Sequence, residues 1–238
     1  MGRITSVFFD VGQTLLLPAL PEPVAFFEEA ARSGVVIDLA LIEACIPRMY
    51  EYYEEFYEQD NSFWADDERA VAIWIEMYGY LCSLLGIDAA KGGEISRNVH
   101  RRYFDAESWK PFDDVFPTLE RLKSQGICMG LISNWDSTLA GIIEGLGLAP
   151  YFEVMLISAT ERLHKPMPEM FLRALERMGV TPSEAMHVGD HLIADVEGSR
   201  AVGMTPVFLE RRGIMLSPPN TFAISTLAEL PEILRQLD

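Results

Sequence analysis

The sequence predicts an α/β protein: a parallel sheet covered by helices on both faces, interrupted near its start by an all-helical insert. Three observations lead there. An apolar, β-prone run from Ile4 to Phe9 stops at Asp10. From about Val24 to about Asp105 the apolar residues recur at helical spacing. After Pro111, short β-prone runs alternate with helical ones to the end of the chain, and repeated βα units of that length call for parallel strands with helices on their faces.

In chain order, Ile4–Phe9 is apolar at successive positions and reads as a strand buried on both sides. Pro18, Pro21 and Pro23 then break the chain and predict a linker. In the insert, Phe26, Phe27, Ala30 and Ala31 set the helical rhythm, and Leu41–Tyr57 continues it with Pro47 as a kink or restart. Ala70–Leu85 is a third helix, stopped by Gly86, and Glu94–Phe104 a fourth. Beyond Pro111 the predicted helices are Thr118–Ser124, Ser137–Gly145, Glu169–Met178, Ile193–Val202 and Leu227–Leu237. The strands between them are Ile127–Ile132, Val154–Ile157, Ala185–Val188, Thr205–Leu209 and Phe222–Ile224. Residues 1–17 and 110–238 are thus expected to form one α/β core, with 18–109 as the insert.

Composition excludes several functions. The chain carries 36 acids against 19 bases, and its longest basic runs are the pairs Arg101-Arg102 and Arg211-Arg212. A phosphate backbone needs clustered Lys and Arg, so nucleic acid is excluded as a partner, and anionic membrane surfaces are disfavoured. The acidity is uneven: residues 18–109 hold 18 acids and 7 bases, the remainder 18 acids and 12 bases. Much of it is expected to solubilise outward faces of the insert. Were those acids to face a cleft, they would favour a substrate with a cationic group. Cys45, Cys82 and Cys128 are widely spaced in apolar or helical runs and predict reduced thiols rather than disulfides or metal ligands. With no signal-peptide pattern and no run of about 20 apolar residues, a cytoplasmic location is expected. Oligomeric state is not legible.

Ligands of open α/β sheets sit outside the carboxyl ends of the strands. Here those ends carry Asp10, Ser133-Asn134 and Gly189-Asp190. Each has an ordinary reading. Asp10 suits a nucleophile, a metal ligand or an Asx turn. Ser133-Asn134 offers a hydroxyl and backbone amides to an oxyanion, or simply makes a loop. Lys165, one of four lysines, stands between His164 and the Pro166-Met167-Pro168 run, where it is either fixed beside an anion or a surface turn residue. Asp190 and Asp195 flank a strand-to-helix turn, as hard oxygen ligands suited to Mg²⁺ or as helix N-caps.

Together the order and spacing of FFDVGQTL (8–15), LISN (131–134), HKPMPEMF (164–171) and HVGDHLIAD (187–195) resemble the haloacid dehalogenase-like (HAD) hydrolase superfamily. The resemblance implies a Rossmann-like core with an inserted α-helical cap, and a Mg²⁺-dependent hydrolase acting on a small phosphorylated metabolite. It implies Asp10 as a nucleophile that forms an aspartyl-phosphate. Mg²⁺ would be held by Asp10, the Gly12 carbonyl and Asp190, with Asp195 orienting its surroundings. Ser133 and the Asn134 amide would hold phosphoryl oxygens, Lys165 would balance charge, and Thr14 would brace the first loop at the phosphate.

One departure matters. Family phosphatases usually carry a second Asp two residues after the nucleophile; here that residue is Gly12. Its carbonyl can still bind metal, but it supplies no acid or base, a contribution of about 10²–10⁴-fold. Turnover of alkyl phosphates is therefore expected to be slow. His164, His191 and Asp136 are near in sequence, with the histidines otherwise plain loop residues. Three other readings compete. A binding or regulatory relative with weakened chemistry would explain the missing group. A haloacid dehalogenase would tolerate Gly12 but leave Asp190 and Asp195 without a role. A phosphonate hydrolase would need a cap lysine, and Lys91 sits in a predicted Gly-Gly turn. The dense aromatics of the insert predict packing, with Phe63 and Trp64 in the breaker-rich 59–67 segment as candidate substrate contacts.

Overall fold

The computed structural model describes residues 3–211, 213, 219 and 221–237; Arg212 of the second basic pair and the extreme termini of the expected core lie outside them. The first strand, β1 (Ser6–Phe9), lies at the centre of a six-stranded parallel sheet. Its side chains alternate between the two faces, Val7 and Phe9 entering one hydrophobic cluster and Phe8 another. Burial on both faces explains why the run is apolar at successive positions rather than at every second one.

A short strand β2 (Leu16–Pro18) follows. The insert is then built from α1 (Glu22–Arg32), α2 (Leu39–Gln59), α3 (Asp67–Leu84) and α4 (Ala89–Arg102). These helices share a cluster of their own around Phe26, Ile42, Met77, Leu81 and Val99. Pro47 does not restart a helix, for α2 runs through it. Gly86 does stop α3: its φ of +72° lets the Ile87 N–H reach back to the Cys82 carbonyl at 3.0 Å. Lys91 lies within α4, not in a turn. Asp88 caps that helix through the Ala90 and Lys91 amides, both at 3.1 Å, and Gly92 packs against Cys82.

The chain leaves the insert through β3 (Trp109–Pro111), which pairs antiparallel with β2, Leu17 opposite Lys110. This pairing was not visible in the sequence. Strands of three residues carry no periodicity, and the proline-rich stretch reads as a linker. The rest follows the predicted alternation: α5 (Val115–Ser124), β4 (Cys128–Ser133), α6 (Leu139–Gly145), β5 (Val154–Ile157), α7 (Ser158–Glu161) and α8 (Pro168–Met178). Next come β6 (Ala185–Gly189), a short α9 (Gly198–Ala201), β7 (Thr205–Leu209), β8 (Phe222–Ile224) and the final helix α10 (Leu230–Leu237). Strand order is β5-β4-β1-β6-β7-β8. The expected helix Ile193–Val202 is a wide π turn, Leu192–Glu197, running into α9. Gly130 in β4 is required by packing, since a β carbon there would come within 2.8 Å of the Phe8 ring and of Val154. The three cysteines are free thiols, of which only Cys82 is buried. No helix among the described residues is long and apolar enough to cross a membrane.

Candidate active site

Because β4, β1 and β6 are neighbours, their carboxyl ends bring Asp10, Ser133 and Asp190 to one edge of the sheet. Lys165 arrives from the loop before α8 and is 2% exposed. Its Nζ donates to Asp10 Oδ1 at 2.7 Å and to Asp195 Oδ1 at 2.6 Å. Burial alone would strip the proton from this lysine, but the two carboxylates raise its pKa above the ordinary value and keep it charged. Burial pushes Asp10 up, opposed by the ammonium. Burial also acts on Asp195, yet Lys165 and the hydrogen bond from His187 hold it well below the usual carboxylate range.

Ligand oxygens of Asp10, Asp190 and Asp195 lie within 4.8 Å of one another, a hard-oxygen set that fits a small divalent cation. Asp195 is the most committed of the three. Its Oδ1 also meets His187 Nε2 at 3.0 Å, and its Oδ2 accepts the His191 amide at 3.0 Å. It therefore holds Lys165 and the turn in place. Gly189 makes this possible, for a β carbon there would lie 2.2 Å from the Asp195 carboxylate.

The remaining predicted residues fall in different places. Ser133 Oγ is 3.4 Å from Asp10 Oδ1, at the limit of a hydrogen bond. The Asn134 side chain is committed elsewhere: Oδ1 accepts the Lys165 amide at 2.7 Å and Nδ2 donates to the Lys165 carbonyl at 3.0 Å. It clamps the lysine loop, so only its backbone is left to meet a ligand. Thr14 is fully buried, its hydroxyl has no partner, and it does not line the cavity; the expectation that it meets the phosphate fails on burial. Its carbonyl instead accepts Arg211 Nη2 at 2.8 Å, and Arg211 is fixed by both oxygens of Asp114 at 3.0 Å, so the first loop is braced from outside.

A cavity of about 350 Å³ opens above these groups and is roofed by the insert. Trp64 lines it; Phe63 does not, being buried against Tyr57, Trp64 and Ala70 and so spent on packing. Of the neighbours of the missing acid, His191 and Asp136 line the cavity, whereas His164 turns Nδ1 toward the Lys165 carbonyl at 3.1 Å. Sequence reasoning missed Trp135. A β carbon on Gly12 would touch its ring at 3.4 Å, so the indole packs beside residue 12. Ser158 fixes the Trp135 backbone through bonds of 2.9 and 3.0 Å. It also missed His100, which comes from α4 to within 4.0 Å of Asp136. Neither residue belongs to a motif that a linear reading could recognise.

A carboxylate-bearing strand edge beneath a helical roof suits a capped α/β hydrolase, and similarity to known proteins narrows this. The family model described as haloacid dehalogenase-like hydrolase matches residues 4–203, most of the chain. The chain belongs to that family. Among relatives, the haloacid dehalogenase-like hydrolase domain-containing protein 3 of Danio rerio is 29% identical over 94% of both chains. The glyceraldehyde 3-phosphate phosphatase of Methanopyrus kandleri is 28% identical over 98% of both. A HAD-hydrolase of Bacillus subtilis, solved bound to magnesium, shares the fold with a TM-score of 0.80 at 21% identity, covering 98% of this chain and 99% of its own.

Proposed function

We propose that this hydrolase is a Mg²⁺-dependent phosphatase of a small phosphorylated metabolite, with Asp10 as nucleophile. The observation that carries the reading is the buried Lys165 ammonium held between Asp10 and Asp195 beside Asp190, at the floor of a ligand-sized cavity. The phosphatase relative from Methanopyrus kandleri supports it. An Asp10 oxygen attacks phosphorus, the bond from phosphorus to the substrate oxygen breaks, and the phosphoryl group passes to the carboxylate. Water then attacks that phosphorus and releases inorganic phosphate and free Asp10. Lys165 neutralises charge on Asp10 and a phosphoryl oxygen, and Ser133 with the Asn134 backbone binds the others. Asp10, Asp190 and the Gly12 carbonyl would hold Mg²⁺, which would supply further charge neutralisation. Asp195 positions Lys165 from behind.

The division into a core of residues 1–17 and 110–238 and a cap of 18–109 is part of the same proposal, supported by their separate hydrophobic clusters. A cytoplasmic setting is proposed from the free thiols. The leaving oxygen finds no carboxyl at residue 12, so aryl phosphates, whose leaving groups need no proton, should be cleaved faster than alkyl ones.

The test is phosphate release from a metabolite panel with and without Mg²⁺, by wild type and Asp10→Asn. Metal-dependent release that vanishes in the variant is expected; release unaffected by Asp10→Asn would overturn the assignment. A second reading, a binding protein with weakened chemistry, is favoured by the missing carboxyl at residue 12. It fails if wild type turns over one metabolite quickly. Halide release from a haloacid without metal would instead revive a dehalogenase.

A further inference from the structure

Resting on the phosphatase reading, the structure assigns the cap end of the cavity to a cation: we propose that the substrate is a phosphomonoester whose organic half carries an alkylammonium group, received by aromatic rings and Glu22.

The cavity has two chemically different ends. At the floor stand the carboxylates and Lys165 described above. Among the described residues, no other lysine and no arginine lines it. The roof is aromatic and acidic. Tyr53, Trp74 and Tyr78 form a row, with 6.3 Å between successive centroids and interplanar angles of 22° and 24°. Trp64 stands edge-on to Trp74, also at 6.3 Å. The row ends at Glu22. Tyr78 Oη donates to Glu22 Oε1 at 2.7 Å, and Tyr50 Oη donates to Oε2. Both rings thus orient a carboxylate on the cavity wall, and Glu54 adds a second, exposed one.

This arrangement decides which organic half can enter. A second phosphate or a carboxylate would face Glu22 and Glu54 with no lysine or arginine at that end, among the described residues, to receive it, and burial favours the neutral form of His100. A neutral apolar group would gain the rings but cover the half-buried Glu22 carboxylate without bringing it a counter-charge. An alkylammonium group satisfies both, placing its charge over ring faces and beside a carboxylate. Glu22 opens α1, where the helix N-terminus favours the ionised form. Burial works the other way and raises its pKa, so an arriving cation would relieve the strain on that charge.

The test compares phosphocholine with its uncharged carbon isostere, 3,3-dimethylbutyl phosphate. Binding is followed by tryptophan fluorescence in the Mg²⁺-loaded Asp10→Asn protein, so that no turnover is needed. The cationic ester should bind about tenfold more tightly or better, the value of a desolvated cation–ring contact with its carboxylate. Adding Glu22→Gln should collapse that ratio toward one. Equal binding of the two esters, or a ratio that survives Glu22→Gln, overturns the proposal. Phosphate release by wild type is measured beside it. If neither ester nor p-nitrophenyl phosphate is hydrolysed while the binding ratio holds, the phosphatase reading fails and the cation site stands. If phosphate is released without a binding preference, the reverse is true.

Discussion

Replacing Lys165 by Met removes the ammonium that lies between two buried carboxylates. Each ion pair, at 2.6–2.7 Å, is worth about 6 kcal/mol gross at an effective dielectric constant near 20. Desolvating three ions offsets most of that, so the intact network contributes little net stability. The variant is different, because the carboxylates stay buried when the ammonium goes. Loss of one partner from such a site costs about 3–5 kcal/mol. For a chain of this size that corresponds to a drop of roughly 10 °C in Tm. The reasoning makes a sharper demand on the double variant. Asp195→Asn removes one of the stranded charges, so Lys165→Met combined with Asp195→Asn should be more stable than the summed single losses by about 2 kcal/mol, within the range seen for coupled neighbours. Urea unfolding at pH 7.5 in EDTA measures all four proteins without interference from metal. A Lys165→Met loss below about 1 kcal/mol, or additivity within about 0.5 kcal/mol, would refute the argument.

Three further outcomes are expected. Gly12→Asp should raise release from an alkyl phosphate by up to about 10²–10⁴-fold, and more fully when Trp135→Leu clears the indole that meets the new side chain; no gain in either protein excludes residue 12 as the missing acid. Gly189→Ala should force the Asp195 carboxylate aside, lowering stability by about 1–3 kcal/mol in thermal unfolding, and an unchanged Tm would contradict the close approach. Burial lowers the pKa of His100, so below its ordinary value near 6.5 the unfolded chain binds the proton first and stability falls as pH drops from there toward the folded pKa. Urea midpoints at pH 7.5 and 5.5 should therefore converge in His100→Gln relative to wild type; an identical pH effect in both assigns the loss to other groups.

Much of the core was legible because its signals are local. The runs 154–157 and 206–209 are apolar at successive positions, as a strand covered on both faces requires. Asp10 and Asp190 could be found because strand ends collect polar groups, Lys165 because it is one of four lysines and stands before a double proline, and Asp195 because it flanks a strand-to-helix turn; the fold brings these four together. The cap resisted, for a physical reason. Trp64 and Phe63 are adjacent, aromatic and buried, yet one lines the cavity and the other fills a core, and composition cannot tell a wall from a filling. Asn134 shows the same limit. Its two bonds to the Lys165 backbone span 31 residues, a separation over which sequence gives no register.

The pairing of β2 with β3 sets Pro18 opposite Trp109, so the insert leaves and rejoins the chain at one point in space. Partnered residues of an antiparallel pair lie only about 5 Å apart. A two-residue turn could join them in place of every residue between. The order of the sheet can therefore be drawn without the insert. The roof behaves topologically as a cassette plugged into a hairpin, free to be exchanged for another that admits a different molecule, while the carboxylates beneath remain where the strands put them.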